Sequence, residues 1–235
     1  MMANGAMILE ARAVSCPAAP SVSDVSLDVE AGSLHLLHGS DGSGKNLLLR
    51  MLALLEIPSS GEIFLRGEPT RGLAEDARAA LRNQRYGLLF AEPYLLPSFS
   101  VVENVAMPLF KISGVGTEEA RLRTQAALDF TGMSACADEA ADQLSLAEQH
   151  RVSLARALAN RPDILIVENV DAAMPAEVLS RFVETILRSC RELGTAAILT
   201  AKGRELARFA DRVIEMDGGR ILNDSRVVAG SGGAL

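Results

Sequence analysis

A glycine-rich run of eight residues limits the folds open to this chain more than any other feature. The run is Gly39-Ser40-Asp41-Gly42-Ser43-Gly44-Lys45-Asn46. It follows SLHLLH (33–38), an apolar segment that predicts a buried strand, and precedes LLLRMLALL (47–55), which predicts a helix. Glycines at such a junction let backbone N–H groups turn toward an anion, and the following helix N-terminus favours negative charge. The run therefore predicts a phosphate-binding loop.

The run fits all but the last position of the P-loop pattern G-x-x-x-x-G-K-[ST]. All eight residues are candidate nucleotide contacts, and Lys45 is expected to reach the β- and γ-phosphates. The last position normally supplies a hydroxyl to Mg²⁺, but here it is Asn46, whose amide oxygen is a less suitable ligand on a longer side chain. We therefore expect weak binding of ATP and Mg²⁺, with a glycine-rich turn that binds nothing as the alternative.

The composition agrees with a folded, reduced, cytosolic protein. Of 235 residues, 49% are hydrophobic and 23% are charged, as in ordinary globular domains. The net charge of −7 argues against nonspecific nucleic-acid binding, which depends on Lys and Arg. The cysteines, Cys16, Cys136 and Cys190, are odd in number and widely spaced, so we expect no disulfide framework. We expect no signal peptide and no membrane-spanning segment.

Apolar periodicity predicts an alternation of strands and helices, which is typical of a parallel α/β sheet. Three prolines, Pro93, Pro97 and Pro108, predict that no regular element runs through 92–110. The predicted strands are 7–14, 25–29, 33–38, 62–67, 86–90, 161–167 and 195–200, followed by a hairpin at 212–222. The predicted helices are 47–55, 72–84, 117–131, 135–142, 151–160, 176–193 and 204–210.

The segment LSLAEQHRVSLARALANRPDILIVENVDAAMP (144–175) resembles one family, the ATP-binding-cassette (ABC) nucleotide-binding domains. In that family a signature sequence precedes an amphipathic helix, the Walker B strand and an acidic pair. Residues 86–109 resemble the subgroup of lipoprotein-releasing, macrolide-exporter and cell-division ABC proteins. The resemblance implies an α/β P-loop NTPase domain with a RecA-like core, an N-terminal antiparallel β portion and an inserted helical subdomain. We expect one domain over 1–235, with its core at about 1–91 and 153–225, the helical subdomain at 92–152 and a flexible tail at 226–235.

The chain departs from this family at the positions that perform catalysis. The Walker B aspartate is replaced by Glu168, and the general base by Asn169, whose amide cannot take a proton from water. The Q-loop glutamine is replaced by Ala91 and the switch histidine by Ala201. The signature is Ser145-Leu146-Ala147-Glu148-Gln149, where side chains at the two glycine positions obstruct close backbone approach. The resemblance assigns Mg²⁺ to Asn46 and Glu168, and no aromatic residue for adenine lies within 14–20.

These observations lead us to expect a catalytically degenerate ABC subunit with little or no ATP hydrolysis. The resemblance implies a transmembrane permease that docks on the loop from Glu92 to Leu96, and an ABC partner in a homodimer or heterodimer. The subunit would lie in the cytoplasm, peripheral to the inner face of the membrane. One alternative is an active ATPase that energises export or lipoprotein release, and another is a soluble regulatory protein without a permease. The histidines, His35, His38 and His150, are expected to be structural, since no metal spacing joins them.

Overall fold

Strands and helices alternate along the chain, as the periodicity predicts, and they fall into two units. The computed structural model describes residues 5–110, 115–172 and 174–227. The first unit joins both ends of the chain, Met1–Gly72 and Leu187–Leu235, and the second is Leu73–Ile186. The predicted boundaries of the helical subdomain stay a prediction. The predicted flexible tail starts at Arg226, which ends a strand, and its residues 228–235 lie outside the described residues.

The first unit carries the glycine-rich loop on a parallel arrangement of strands. Its elements are β1 (Met7–Cys16), β2 (Val22–Glu30), β3 (Leu34–His38), α1 (Lys45–Leu52), β4 (Ser60–Leu65), β5 (Glu68–Pro69), and, near the end of the chain, β8 (Ala196–Ala201), β9 (Arg212–Asp217) and β10 (Arg220–Arg226). Strand β3 pairs in parallel with β8 and with β9. Every residue of β3 and β8 is buried, as expected for strands covered on both faces.

Antiparallel pairing occupies the two ends of this unit. Strand β1 pairs with β2 and β4, and β4 pairs with β5, which confirms the predicted N-terminal antiparallel portion. The predicted hairpin at 212–222 is formed by β9 and β10. It turns at Gly218 and Gly219, whose positive φ angles of 52° and 79° suit glycine.

The second unit contains a parallel strand pair and a helical core. Its elements are α2 (Glu75–Arg85), β6 (Tyr86–Leu89), α3 (Val101–Phe110), α4 (Thr117–Thr131), α5 (Leu146–Ala159), β7 (Ile164–Val167) and α6 (Ala176–Leu193), which ends in the first unit. Strands β6 and β7 are parallel. Helix α3 buries Val101, Val105 and Leu109, one residue per turn on one face, against buried residues of α4 and α5.

The prediction that no regular element crosses 92–110 is wrong for its second half. Helix α3 includes Pro108, which lies in the last turn. A proline there removes the one N–H that would bond to the carbonyl four residues earlier. The buried face of α3 compensates for that loss, because most helix stability in proteins comes from packing.

Two predicted helices are absent from the part of the chain that the structure describes. Residues 135–142 form only short 3₁₀ turns at Ser134–Cys136 and Ala141–Gln143, because their backbone bonds to the start of α3 instead. The N–H of Val101 donates to the Glu139 carbonyl at 2.9 Å, and that of Val102 donates to Ala137 at 2.9 Å. Residues 204–210 form only the 3₁₀ turn Ala207–Phe209, because Asp211 is already bonded to Leu34 of β3.

Helix α5 begins five residues before the predicted start at 151. Ser145 caps it, and a reciprocal bond from Glu148 completes a capping box. The signature residues therefore form the first turn of a helix. Across 5–110, 115–172 and 174–227, none of the helices has the length and apolarity that crossing a bilayer requires.

Candidate functional site

The glycine-rich loop needs two of its glycines because other backbone lies against them. A Cβ on Gly39 would lie 2.3 Å from the carbonyl oxygen of Met216, and a Cβ on Gly44 would lie 2.5 Å from that of Ser21. Real Cβ atoms do not approach a carbonyl so closely. Gly42 differs, because nothing lies within 4 Å of its Cβ position and its φ is 87°. The loop is therefore packed at its two ends and open at Gly42.

Lys45 places a buried positive charge at the start of α1. Only 2% of its surface is exposed, and its ammonium donates to the carbonyl of Ser40 at 3.1 Å. Among the described residues it forms no ion pair with a carboxylate. Helix α1, described throughout, has no acidic side chain in its first turn. The charge of Lys45 and the helix N-terminus thus act together on an anion at this loop.

The predicted metal ligand Asn46 keeps its amide oxygen inside the protein. Its Oδ1 is buried and has no hydrogen-bond partner among the described residues, and the same is true of the Ser43 hydroxyl. Ser43 is almost fully buried beside Gly39, where its Oγ lies 2.8 Å from the Cβ position of that glycine. The loop therefore contains polar groups whose hydrogen-bonding capacity is unused.

The switch position, Ala201, lies at the root of the same loop. It ends β8 and pairs with His38, the last residue of β3 before the glycine-rich run. The next residue, Lys202, donates to Asp41 of the loop at 2.8 Å and lowers the pKa of that carboxyl group. The structure thus brings Ala201 and the P-loop together within the first unit.

His38 was predicted to be structural, and the structure places it next to the position where the family has a histidine. Its ring is buried and its Nε2 has no partner within the described residues. Burial lowers its pKa, so the neutral imidazole is favoured. Only the register of β3 against β8 reveals this neighbour, and no motif in the sequence encodes that register.

The other catalytic positions meet in the second unit. Glu168 and Asn169 follow β7, and the N–H of Glu168 donates to the carbonyl of Leu89 at 2.9 Å. Ala91 lies two residues after Leu89, which is the last residue of β6. Asn169 adopts a φ of 50°, which asparagine tolerates better than most residues. Carboxylate, amide and methyl group therefore stand at the carboxyl ends of adjacent parallel strands, where α/β proteins bind ligands.

The signature residues Ser145 and Glu148 bond to each other at the start of α5. The Ser145 hydroxyl donates to Oε2 of Glu148 at 2.6 Å, and the Glu148 side chain also accepts from the Ser145 N–H at 2.9 Å. These bonds lower the pKa of the Glu148 carboxyl group. Leu146 is half exposed in place of a signature glycine. A phosphate approaching this helix end would meet a leucine side chain and a carboxylate already bound to the serine.

His150 links this helix to the Q-loop position. It is fully buried, with Nδ1 at 2.8 Å from the carbonyl of Leu146 and Nε2 at 3.1 Å from that of Ala91. Its ring also contacts Phe182 edge to face. The predicted structural role of His150 fits these contacts, and the residue additionally holds the backbone of Ala91.

Side chains of α5 and α3 hold the backbone of the loop that is predicted to dock a permease. The guanidinium of Arg156 donates to the carbonyls of Tyr94 and Pro93, both at 2.7 Å. The side chain of Asn104 accepts from the Leu96 N–H at 2.7 Å and donates to the Leu96 carbonyl at 3.1 Å. Because the backbone bonds inward, Tyr94 is left 65% exposed and Leu96 is also exposed.

An apolar groove lies along α3, the helix that follows this loop in the chain. It is lined by Phe99, Val102, Glu103, Ala106, Met107 and Phe110, and its volume is about 400 Å³. Phe110 is 70% exposed. Large apolar side chains that remain exposed together mark interaction surfaces more often than scattered single ones do.

Comparisons with known proteins agree on one family. The family profile described as ABC transporter matches residues 22–171. The lipoprotein-releasing system ATP-binding protein LolD of Bordetella pertussis is 38% identical over 203 residues, which are 86% of this chain and 87% of that protein. LolD 2 of Caulobacter vibrioides is 37% identical over 202 residues, 86% of this chain and 88% of that protein. The methionine import ATP-binding protein MetN of Caulobacter vibrioides is 35% identical over 209 residues, 88% of this chain and 62% of that protein.

Solved structures have the same fold. The ATP-binding cassette MJ0796, in a dimeric post-hydrolysis state bound to ADP and Pi, matches with a TM-score of 0.83 and 24% identity, over 94% of this chain and 100% of that chain. CbiO1 from Clostridium perfringens, part of the transporter complex cbiONQ, matches with a TM-score of 0.86 and 23% identity, over 94% and 88% respectively. These matches confirm the predicted α/β cassette fold with mixed sheets.

Proposed function

This chain belongs to the ABC transporter family, and we propose that it is a nucleotide-binding subunit which serves a membrane permease while hydrolysing little or no ATP itself. The observation that carries this proposal is the amide of Asn169 at the end of β7, where the family has its general base. An amide has no useful basicity, and loss of a general base costs about 10²–10⁴-fold in rate.

The remaining catalytic positions support the same conclusion. Ala91 and Ala201 end in methyl groups, so neither can orient water or contact a γ-phosphate. Leu146 and Glu148 crowd the helix end that would face a nucleotide on a second subunit. Glu168 retains one carboxylate beside Asn169, but its longer side chain moves that charge relative to the family's aspartate. Since these losses affect different contacts, a single compensating change would not restore turnover.

The P-loop fits the phosphates of a nucleotide. Lys45 supplies a buried positive charge without a carboxylate partner among the described residues, and the Ser43 hydroxyl is unpartnered there. The closely packed ends at Gly39 and Gly44 fix the loop that would surround the phosphates. We therefore propose that nucleotide binding persists where hydrolysis is lost. Mg²⁺ fits less well, because the oxygen of Asn46 is buried.

The loop from Glu92 to Leu96 is the proposed docking site of the permease. Its Tyr94 and Leu96 are exposed, and its backbone is fixed by Arg156 and Asn104. The next helix in the chain, α3, carries the apolar groove. A partner segment that presents an apolar helix face fits this surface. Through such a partner the subunit would lie on the inner face of the membrane, and we propose that it pairs there with a second ABC domain, a copy of itself or a different chain.

One alternative is an active ATPase that energises lipoprotein release or another export process. It is favoured by the 38% identity to LolD, which is named as the ATP-binding protein of a lipoprotein-releasing system. It requires Glu168 to take over the work of the missing base. A soluble regulator without a permease is the remaining alternative.

Turnover measurements distinguish these possibilities. We expect the purified protein, alone and with its permease, to release no phosphate from Mg-ATP above the level of the Lys45→Ala variant. The triple variant Asn46→Ser, Asn169→Glu, Ala201→His restores a metal ligand, a base and a γ-phosphate contact, and is expected to gain at least about tenfold over the unaltered chain. Steady hydrolysis by the unaltered chain that disappears in Lys45→Ala would establish the active ATPase instead.

A further inference from the structure

The side chain of Asn46 buries its acceptor oxygen and leaves its donor nitrogen more accessible. Its Oδ1 is buried and has no hydrogen-bond partner among the described residues, whereas its Nδ2 forms no hydrogen bond there and is not fully buried. The P-loop position that normally offers an oxygen to a metal therefore offers N–H groups. An N–H repels a cation and donates to a phosphate oxygen.

From this orientation we propose that the P-loop binds nucleoside di- and triphosphates as free anions, without Mg²⁺, with the Asn46 amide donating to a phosphate oxygen in place of the metal. The proposal rests on the nucleotide binding included in the proposed function and does not depend on the permease. It differs from the metal requirement of the family to which the chain belongs.

The Asn46 oxygen is not available to Mg²⁺ unless the amide rotates, because that oxygen is buried. Mg²⁺ also requires oxygen ligands in near-octahedral geometry and gives up water reluctantly. One reoriented amide would therefore add little to the affinity of the loop for Mg²⁺.

The loop carries enough positive potential to hold an uncomplexed anion. Lys45 is buried and forms no ion pair within the described residues, and the first turn of α1 contains no carboxylate. The Ser43 hydroxyl adds an unused donor. A hydrogen bond from a charged donor is stronger than one from a neutral donor, so Lys45 contributes most to holding the anion. The carboxylate within the loop, Asp41, is paired with Lys202.

The test is a calorimetric titration of the full chain with ATP, once in EDTA and once in excess MgCl₂, with NaCl added to equal ionic strength. We expect binding in EDTA, and an apparent affinity about tenfold lower in excess Mg²⁺ because the metal removes free ATP from solution. Binding that requires Mg²⁺ would overturn the proposal. So would equal affinity in both solutions.

Two substitutions at one position provide the matched comparison. Asn46→Ser supplies the metal-binding hydroxyl and is expected to reverse the response, so that Mg²⁺ strengthens binding. Asn46→Asp keeps the shape but replaces the donor with a charge, and is expected to lose metal-free binding. Melting curves of both variants verify that they fold. An Asn46→Ser variant with the same metal response as the unaltered chain contradicts the proposal. Absence of binding in both solutions also overturns it. The permease could still bind in that case, and the proposed role as a permease partner would stand.

Discussion

Gly39 and Gly42 lie in one loop, yet their missing side chains have different consequences. We expect Gly39→Ala to destabilise the protein by about 3 kcal/mol, because the new Cβ would lie 2.3 Å from the Met216 carbonyl oxygen and neighbouring backbone must move. A Cβ on Gly42 would meet open space. We therefore expect Gly42→Ala to lower the free energy of unfolding by only about 1 kcal/mol, the strain of a side chain at a φ of 87°. Urea unfolding of the two variants measures the difference. Equal losses would mean that the close packing at Gly39 does not constrain the loop.

Residues within the site differ in how far the sequence could predict them. Lys45, Asn46, Glu168 and Asn169 belong to contiguous motifs, so their identities follow from spacing alone. The position of His38 beside Ala201 depends on the register between β3 and β8. The burial of the Asn46 amide oxygen depends on which neighbours fill the space around it. Neither register nor packing is contained in a local pattern, so both required the structure.

At the scale of elements, the proposed docking site on the loop Glu92–Leu96 can be tested by adding a charge. Tyr94→Asp places a carboxylate at the exposed centre of the proposed docking site. We expect copurification with a permease encoded by a neighbouring gene to fall about tenfold or more, as when an aromatic anchor is lost from an interface. Stability should stay within about 0.5 kcal/mol, since the side chain is exposed.

The matched control for this test is Leu222→Asp, which changes an equally exposed apolar residue on β10. It should leave copurification unchanged. If both variants lose the permease to the same extent, the effect is one of charge alone and the docking site lies elsewhere. Retention by Tyr94→Asp would place the permease contact outside this loop.

Elements with strong periodicity were predictable, and elements decided by long-range hydrogen bonds were not. Helix α6 occupies the predicted residues 176–193, because its apolar positions recur at helical spacing over many turns. Residues 135–142 have helical composition, but their carbonyls accept from the start of α3. Helix α3 forms through Pro108 because its buried face outweighs one lost hydrogen bond. In each failure a tertiary contact overrode the local preference.

At the scale of the whole molecule, a buried histidine makes stability depend on pH. His35 lies in β3 with Nε2 at 2.7 Å from the Ser33 hydroxyl, which itself donates to Glu30, so Nε2 carries the proton. Its Nδ1 is buried without a partner within the described residues. Burial, reinforced by the nearby charge of Arg212, lowers the pKa of His35 from 6.5 to about 4.

Between pH 6.5 and about 4, His35 is therefore protonated in the unfolded chain and neutral in the folded chain. Stability is complete above the unfolded pKa and declines as the pH falls through this window. We expect the free energy of unfolding to fall by about 2 kcal/mol between pH 7 and pH 5 from His35, with His38 acting in the same direction. Urea unfolding at both pH values measures this loss, and His35→Gln should reduce it. An unchanged pH dependence in that variant would assign the loss to other groups.

The proposed docking loop (Glu92–Leu96) and the proposed catalytic losses involve different residues, so natural selection can act on each separately. Arg156 and Asn104 hold the backbone of that loop from helices, and neither residue belongs to the positions at which the chain departs from its family. If the departures from the family abolish hydrolysis as proposed, they leave the proposed docking loop unchanged. If a permease docks there as proposed, a lineage could discard the chemistry step by step while every intermediate still assembled with its partner.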